Sequence, residues 1–152
     1  MPPPTEDEFA TLLGYRFRDP ALLTEALTHA SLDGGCQKKT GPDNDRLEFL
    51  GDRVLGLVIA SHLLATFEDA DAGGLARRYN SLVRRETLAK VARKLDLGAY
   101  LSMSKAEESS GGRKKSAMLA DGCEAVIAAL YLDGGLEAAS DFIHAHWDPL
   151  IG

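Results

Sequence analysis

A chain of 152 residues, 45% hydrophobic and 26% charged, has the proportions of one globular domain over residues 1–152 and needs no staples to fold. Its net charge of −6 argues against indiscriminate affinity for nucleic acid. Cys36 and Cys123 lack metal-ligand spacing and exclude a disulfide-rich scaffold, so a reducing, cytoplasmic setting is expected, with Cys123 a buried free thiol. Neither end reads as a signal peptide, and the apolar stretches read as too short and interrupted to span a bilayer, so no membrane partner is expected.

No segment alternates strictly enough to predict a strand, and the chain reads as all-α. Thr5 and Glu8 form a capping box that opens a helix over 6–13. Asp19-Pro20 starts the next, over 20–29, with Leu22, Leu23, Ala26 and Leu27 inward. Residues 32–43 are a loop by composition. A long apolar helix follows over 44–67, then a Gly-rich break at 70–74. Two short amphipathic helices are predicted over 75–84 and 86–95, with Gly98 as a stop. The polar segment 102–115 reads as mobile. A second apolar helix spans 116–132, Asp133-Gly134-Gly135 ends it, and an amphipathic helix closes the chain over 136–147.

The two apolar helices carry the chemistry. Asp45, Glu48 and Asp52 interrupt the first at spacings of three and four, which places them on one face beside Leu47, Phe49 and Leu50. Asp121 and Glu124 are three apart on the second. Acids beside a buried surface repel one another and lose hydration, and a divalent cation compensates both effects. Packed side by side, the helices pool enough carboxylates for one or two Mg²⁺ ions. The plainer alternative is a solvated acidic strip paired with Arg46 or Arg53. Basic residues are concentrated elsewhere: Arg77, Arg78, Arg84, Arg85, Lys90, Arg93 and Lys94 against Glu86, then Arg113, Lys114 and Lys115. His144 and His146, two apart on a helix, face different directions and receive no metal role.

Asn44-Asp45-Arg46-Leu47-Glu48-Phe49-Leu50-Gly51-Asp52 resembles the signature of the ribonuclease III family, which usually has Glu where Asp45 stands. Further matches follow in the family's order: Leu27-Thr28-His29-Ala30-Ser31, Leu82-Val83 through Thr87-Leu88-Ala89, Ser110-Gly111-Gly112-Arg113, Leu119-Ala120-Asp121 with Glu124-Ala125, and Leu132-Asp133-Gly134-Gly135. The resemblance implies an all-α, homodimeric endonuclease domain that cuts double-stranded RNA with Mg²⁺, or Mn²⁺ as a substitute. It implies Glu48, Asp52, Asp121 and Glu124 as metal ligands, with Asp52 and Glu124 central to catalysis and Asp45 a secondary acid. It places Phe49 at the dimer interface, in a pocket of the partner subunit. Two metal ions would activate water and stabilise the leaving 3′ oxygen, giving 5′-phosphate ends with short 3′ overhangs. Roles in ribosomal and messenger RNA processing follow from the same resemblance.

A-form duplex is read by shape, and Arg84, Arg85, Arg113, Lys114 and Lys115 are the candidate backbone contacts. His29 and Ser31 read as structural. Three departures stand out. An acid that the family often has before the basic helices is missing at Ala72, unless Asp71 replaces it. Ser104-Lys105-Ala106-Glu107 lacks two of the family's glycines. No double-stranded-RNA-binding domain is found within the 152 residues. Two rivals remain: a catalytically silent RNA- or ribosome-binding module of the same fold, and an all-α nucleotide pyrophosphatase.

Overall fold

The computed structural model describes residues 4–33 and 42–151, and they form seven α-helices joined by short 3-10 turns. Helix α1, Glu6–Leu13, starts where the Thr5 hydroxyl accepts from the Glu8 N–H at 3.2 Å and stops at Gly14. Helix α2, Pro20–Ala26, is capped by Asp19 and ends short of the expected residue 29. Leu27 ends the helix in a turn, and Thr28 forms an isolated parallel bridge with Ser102. The central helix α3 spans Asp45–Thr66. Its start is anchored on α2: the buried Asn44 donates from its side chain to the Ala26 carbonyl at 3.3 Å. Part of the expected 32–43 loop, and Cys36 within it, lie outside the described residues.

Helix α4, Ala72–Val83, begins three residues earlier than expected and takes Gly73 and Gly74 into its first turn. The Asp71 carboxylate makes this possible by accepting from the Gly74 N–H at 2.7 Å. Helix α5, Arg85–Lys94, follows at once. The segment expected to be mobile is folded: α6, Lys105–Ser109, is capped by Ser104, and a 3-10 turn covers Gly112–Lys114. Arg113 ties it down, donating to the carbonyls of Gly98 at 2.9 Å and Leu101 at 2.5 Å and to the Glu108 carboxylate at 2.9 Å.

Helix α7, Ser116–Trp147, breaks at Gly135, whose φ of 75° and ψ of −175° leave the helical region. A left-handed φ favours glycine, so the second helix and the closing helix of the sequence reading are two segments of α7. Asp133, just before the break, accepts from the Tyr15 hydroxyl at 2.6 Å and from the N–H groups of Arg18 and Asp19 at 2.8 and 2.9 Å. Burial is the largest single influence and raises its carboxyl, but the three bonds and the Arg18 charge together outweigh it and hold the group below the usual range.

The core lies between α3 and the first segment of α7, with α5 and α2 packed around it. Leu55, Ile59, Val126, Ile127 and Leu130 are fully buried there, and so is the free thiol of Cys123. Burial, reinforced by the charge of Glu124, pushes that thiol up. Trp147 closes the far end by donating from Nε1 to the Leu82 carbonyl at 2.8 Å. At 22 residues α3 is long and apolar enough by composition to cross a membrane, which corrects the expectation from sequence. Its inner face packs on α7, however, and its first half carries Asp45, Glu48, Asp52 and Arg53.

Candidate functional site

The acidic residues meet where α3 crosses α7. The crossing is close because Gly51 has no side chain: a Cβ there would lie 1.7 Å from the backbone oxygen of Glu124. Glycine between Leu50 and Asp52 therefore sets the distance between the two acidic helices. One carboxylate oxygen from each of Glu48, Asp121 and Glu124 falls within 4.8 Å of the others. Asp52 joins through a hydrogen bond with Glu124, and Glu48 bonds Asp121. Both links cross between the helices, so the four acids predicted as metal ligands converge. Asp45 is exposed at the margin and acts through its charge, which raises Glu48 and Asp121.

Without a cation this arrangement retains protons. Burial pushes Glu124 up to about 9, helped by its bond to Asp52 and the charges of Asp52, Glu48 and Asp121. Burial followed by the charge of Asp121 raises Glu48 to about 7. Asp121 is also raised, mainly by desolvation. Glu48 and Asp121 titrate as one pair, and burial raises both members. The acids do not form the solvated, arginine-paired strip of the plainer reading. Of these acids, only Asp52, about half exposed, pairs with an arginine among the described residues, Arg53 at 3.5 Å.

Two neighbours lie near enough to temper Asp121: the charge of Arg85 lowers it, and His29 stands beside it. Sequence reading placed Arg85 among the RNA contacts and His29 in the scaffold, and no spacing signal relates either residue to α7. The scaffold part holds. His29 Nδ1 lies 2.8 Å from the Ser31 hydroxyl and accepts from the Ser31 N–H at 3.1 Å, and Ser31 Oγ accepts from the Ser104 N–H at 3.1 Å. The His29 backbone is fixed by its bond to the Ser102 carbonyl at 2.8 Å.

The predicted RNA contacts divide. Arg84, Arg85 and Lys114 are exposed, with Arg84 near Glu86 at 3.9 Å. Arg113 is committed to the fold, and Lys115 donates to Glu107 at 3.1 Å. Asp71, the possible replacement for the acid missing at Ala72, is engaged as the cap of α4.

Phe49 is 63% exposed, which departs from ordinary core packing. The Arg53 guanidinium sits 3.8 Å from its ring centroid. Beside it an open groove of about 610 Å³ is lined by Leu22, Leu47, Leu50 and the exposed Leu132.

The family model described as ribonuclease-III-like matches residues 19–149. The chain belongs to the ribonuclease-III-like family. Two curated members are similar to it. "Ribonuclease 3" of Jannaschia sp. (strain CCS1) is 55% identical over 143 residues, covering 94% of this chain and 61% of the relative. "Ribonuclease 3" of Ruegeria pomeroyi is 55% identical over 139 residues, covering 91% and 60%. The chain thus spans about 60% of the length of these ribonuclease III relatives. Among solved structures, the nuclease domain of ribonuclease III from Campylobacter jejuni superposes with a TM-score of 0.83 at 38% identity, covering 92% of this chain and 96% of that one. Its description refers to structural flexibility in a region involved in dimer formation.

Proposed function

We propose that this chain is the catalytic domain of a Mg²⁺-dependent endoribonuclease that cuts double-stranded RNA as a homodimer. The observation that carries this reading is the convergence of Glu48, Asp52, Asp121 and Glu124 from two helices held together at Gly51. Four hard oxygen donors suit Mg²⁺, with Mn²⁺ as a substitute. The raised carboxyls of Glu48 and Glu124 support the fit, because a divalent cation displaces those protons and removes the repulsion between the acids. When bound, Mg²⁺ supplies charge neutralisation at the phosphodiester and activation of water.

The chain's own groups do the rest. Burial of Glu124 fixes its carboxylate and excludes bulk water on the α7 side. Asp52, exposed at the rim, faces the solvent from which phosphate and water arrive. Arg85 biases Asp121 toward its ionised, metal-binding form. Lys114, Arg84 and Arg85, all exposed, would meet backbone phosphates of A-form RNA.

Exposed Phe49 and its adjoining groove support a second copy as partner, and the dimer described for the Campylobacter nuclease domain supports it further. Two sites in one dimer would cut both strands, leaving 5′-phosphate and 3′-hydroxyl ends with short 3′ overhangs. Processing of ribosomal and messenger RNA in the cytoplasm belongs to the same reading.

One observation favours the silent RNA-binding alternative: Ala72 stands where the family often has an acid, and Asp71 is engaged as a helix cap. Retention of the four converging acids favours cleavage. The test is incubation with a long RNA duplex and Mg²⁺, followed by analysis of the product ends. Short duplex fragments with 5′ phosphates are expected. Intact duplex in both Mg²⁺ and Mn²⁺ would assign the silent function.

A further inference from the structure

A second group of metal-type ligands lies toward the other end of α3, about ten residues or roughly 15 Å along the helix from Asp52. His62 in the penultimate turn of α3, His144 in the last turn of α7 and Asp148 immediately after α7 offer ligand atoms all within 4.8 Å of one another. His144 Nδ1 is 2.9 Å from Asp148 Oδ1, and His62 Nε2 is 3.8 Å from the same oxygen. The imidazoles meet edge to face, with ring centroids 4.9 Å apart. We propose that His62, His144 and Asp148 form a binding site for a first-row transition ion, Zn²⁺ foremost, that clips the end of α7 to α3.

Geometry, donor chemistry and local field agree. A tetrahedral ion about 2.0–2.2 Å from nitrogen and oxygen ligands needs those ligands about 3.3 Å apart, and the two measured separations bracket that value. Small side-chain rotations close the set. Two imidazoles and a carboxylate favour Zn²⁺ and its neighbours over Mg²⁺, which prefers oxygen alone. Both histidines sit near helix C-termini, where unpaired carbonyls give a negative potential that favours a cation. The side chains are 30%, 39% and 49% exposed, so an ion can enter from solvent and a fourth position stays open for water. Spacing in the sequence conceals the site. His144 does not pair with His146, whose ring packs on Phe142 at 4.7 Å; its partner is on α3, which only the packing of α3 against α7 brings near.

The site is independent of the nuclease reading, and its test does not use RNA. Metal-freed protein is placed in a large excess of Mg²⁺, which competes with Zn²⁺ for oxygen-only sites. Zn²⁺ is then titrated against a chromogenic chelator, and thermal unfolding is followed in parallel. One equivalent of Zn²⁺ should bind and raise Tm. Asp148→Asn keeps an acceptor for His144 but loses the anionic ligand; together with His62→Gln it should weaken binding by more than about tenfold and abolish the Tm rise. Co²⁺ in the wild-type protein should give the intense visible bands of a low-coordinate nitrogen–oxygen site, lost in His144→Ala. That spectrum on folded wild-type protein keeps the test decisive even where a variant folds poorly. Unchanged Zn²⁺ affinity in His62→Gln/Asp148→Asn, or weak octahedral Co²⁺ bands with no Zn²⁺-dependent rise in Tm, overturns the proposal.

Discussion

Replacing Glu124 by Gln should stabilise the metal-free protein at neutral pH while destroying its response to Mg²⁺. Folding raises the Glu124 carboxyl from an ordinary 4.5 to about 9. The sign follows from proton binding. Below the lower value both states hold the proton; above it the unfolded chain releases the proton and the folded chain retains it, so stability falls as pH rises toward 9. At about pH 7.5 the interval is about three pH units, and at 1.36 kcal/mol per unit the ceiling is about 4 kcal/mol. Solvent reaches the cluster past the exposed Asp52, which reduces the expected effect to about 2 kcal/mol. Glutamine keeps the shape and can still bond Asp52, but it does not ionise. Urea unfolding in chelator between about pH 5 and 9 should show wild-type stability declining with pH, and a flatter profile for Glu124→Gln. Adding Mg²⁺ should restore the wild-type protein and leave the variant unmoved. Parallel pH profiles for the two proteins would refute the buried-proton argument.

Gly51→Ala places a methyl against the Glu124 carbonyl, so it should cost about 3 kcal/mol in chemical denaturation and separate the acids. Gly122→Ala is the control: its Cβ meets the flexible Leu97 side chain at 3.0 Å, and its cost should be smaller. Phe49→Ala should weaken self-association by about 1.5–3 kcal/mol in sedimentation equilibrium, and an unchanged dimer, or a monomeric wild-type chain at micromolar concentration, would remove Phe49 from the interface. Arg113→Ala should lower Tm, because a charged group leaves three acceptors, at a cost of about 1.5–3 kcal/mol. Lys114→Ala should leave Tm alone and lower the salt slope of duplex-RNA binding by about one; the opposite pattern for the two residues would reverse their assignments.

Local signals in the sequence account for much of the fold. The span of α1 is legible because Thr5 and Gly14 are both capping residues, and α3 because its apolar pattern persists over six turns. The start of α4 is obscured by Gly73 and Gly74, each about 1 kcal/mol less favourable than Ala in a helix interior. The cap from Asp71 offsets that cost and is visible only as a distance. Residues 102–115 look mobile by composition, yet Arg113 orders them through carbonyls that no spacing rule connects to it.

The site was legible one helix at a time. Periodicity put Glu48 with Asp52 and Asp121 with Glu124. It could not show that the bonds run crosswise, Glu48 to Asp121 and Asp52 to Glu124, because the helix crossing at Gly51 decides that. The placement of Arg85 and His29 near Asp121, and the meeting of His62 with His144, are likewise products of tertiary packing.

The central claim, that the four converging acids hold Mg²⁺ to hydrolyse duplex RNA, is tested most directly by single-turnover cleavage of a long RNA duplex across a Mg²⁺ titration, wild type beside Glu124→Gln. Wild-type protein should cut the duplex with a rate that saturates in Mg²⁺, while Glu124→Gln, folded and dimeric, should not cut at any Mg²⁺ concentration. Near-normal turnover by Glu124→Gln in saturating Mg²⁺ would contradict it.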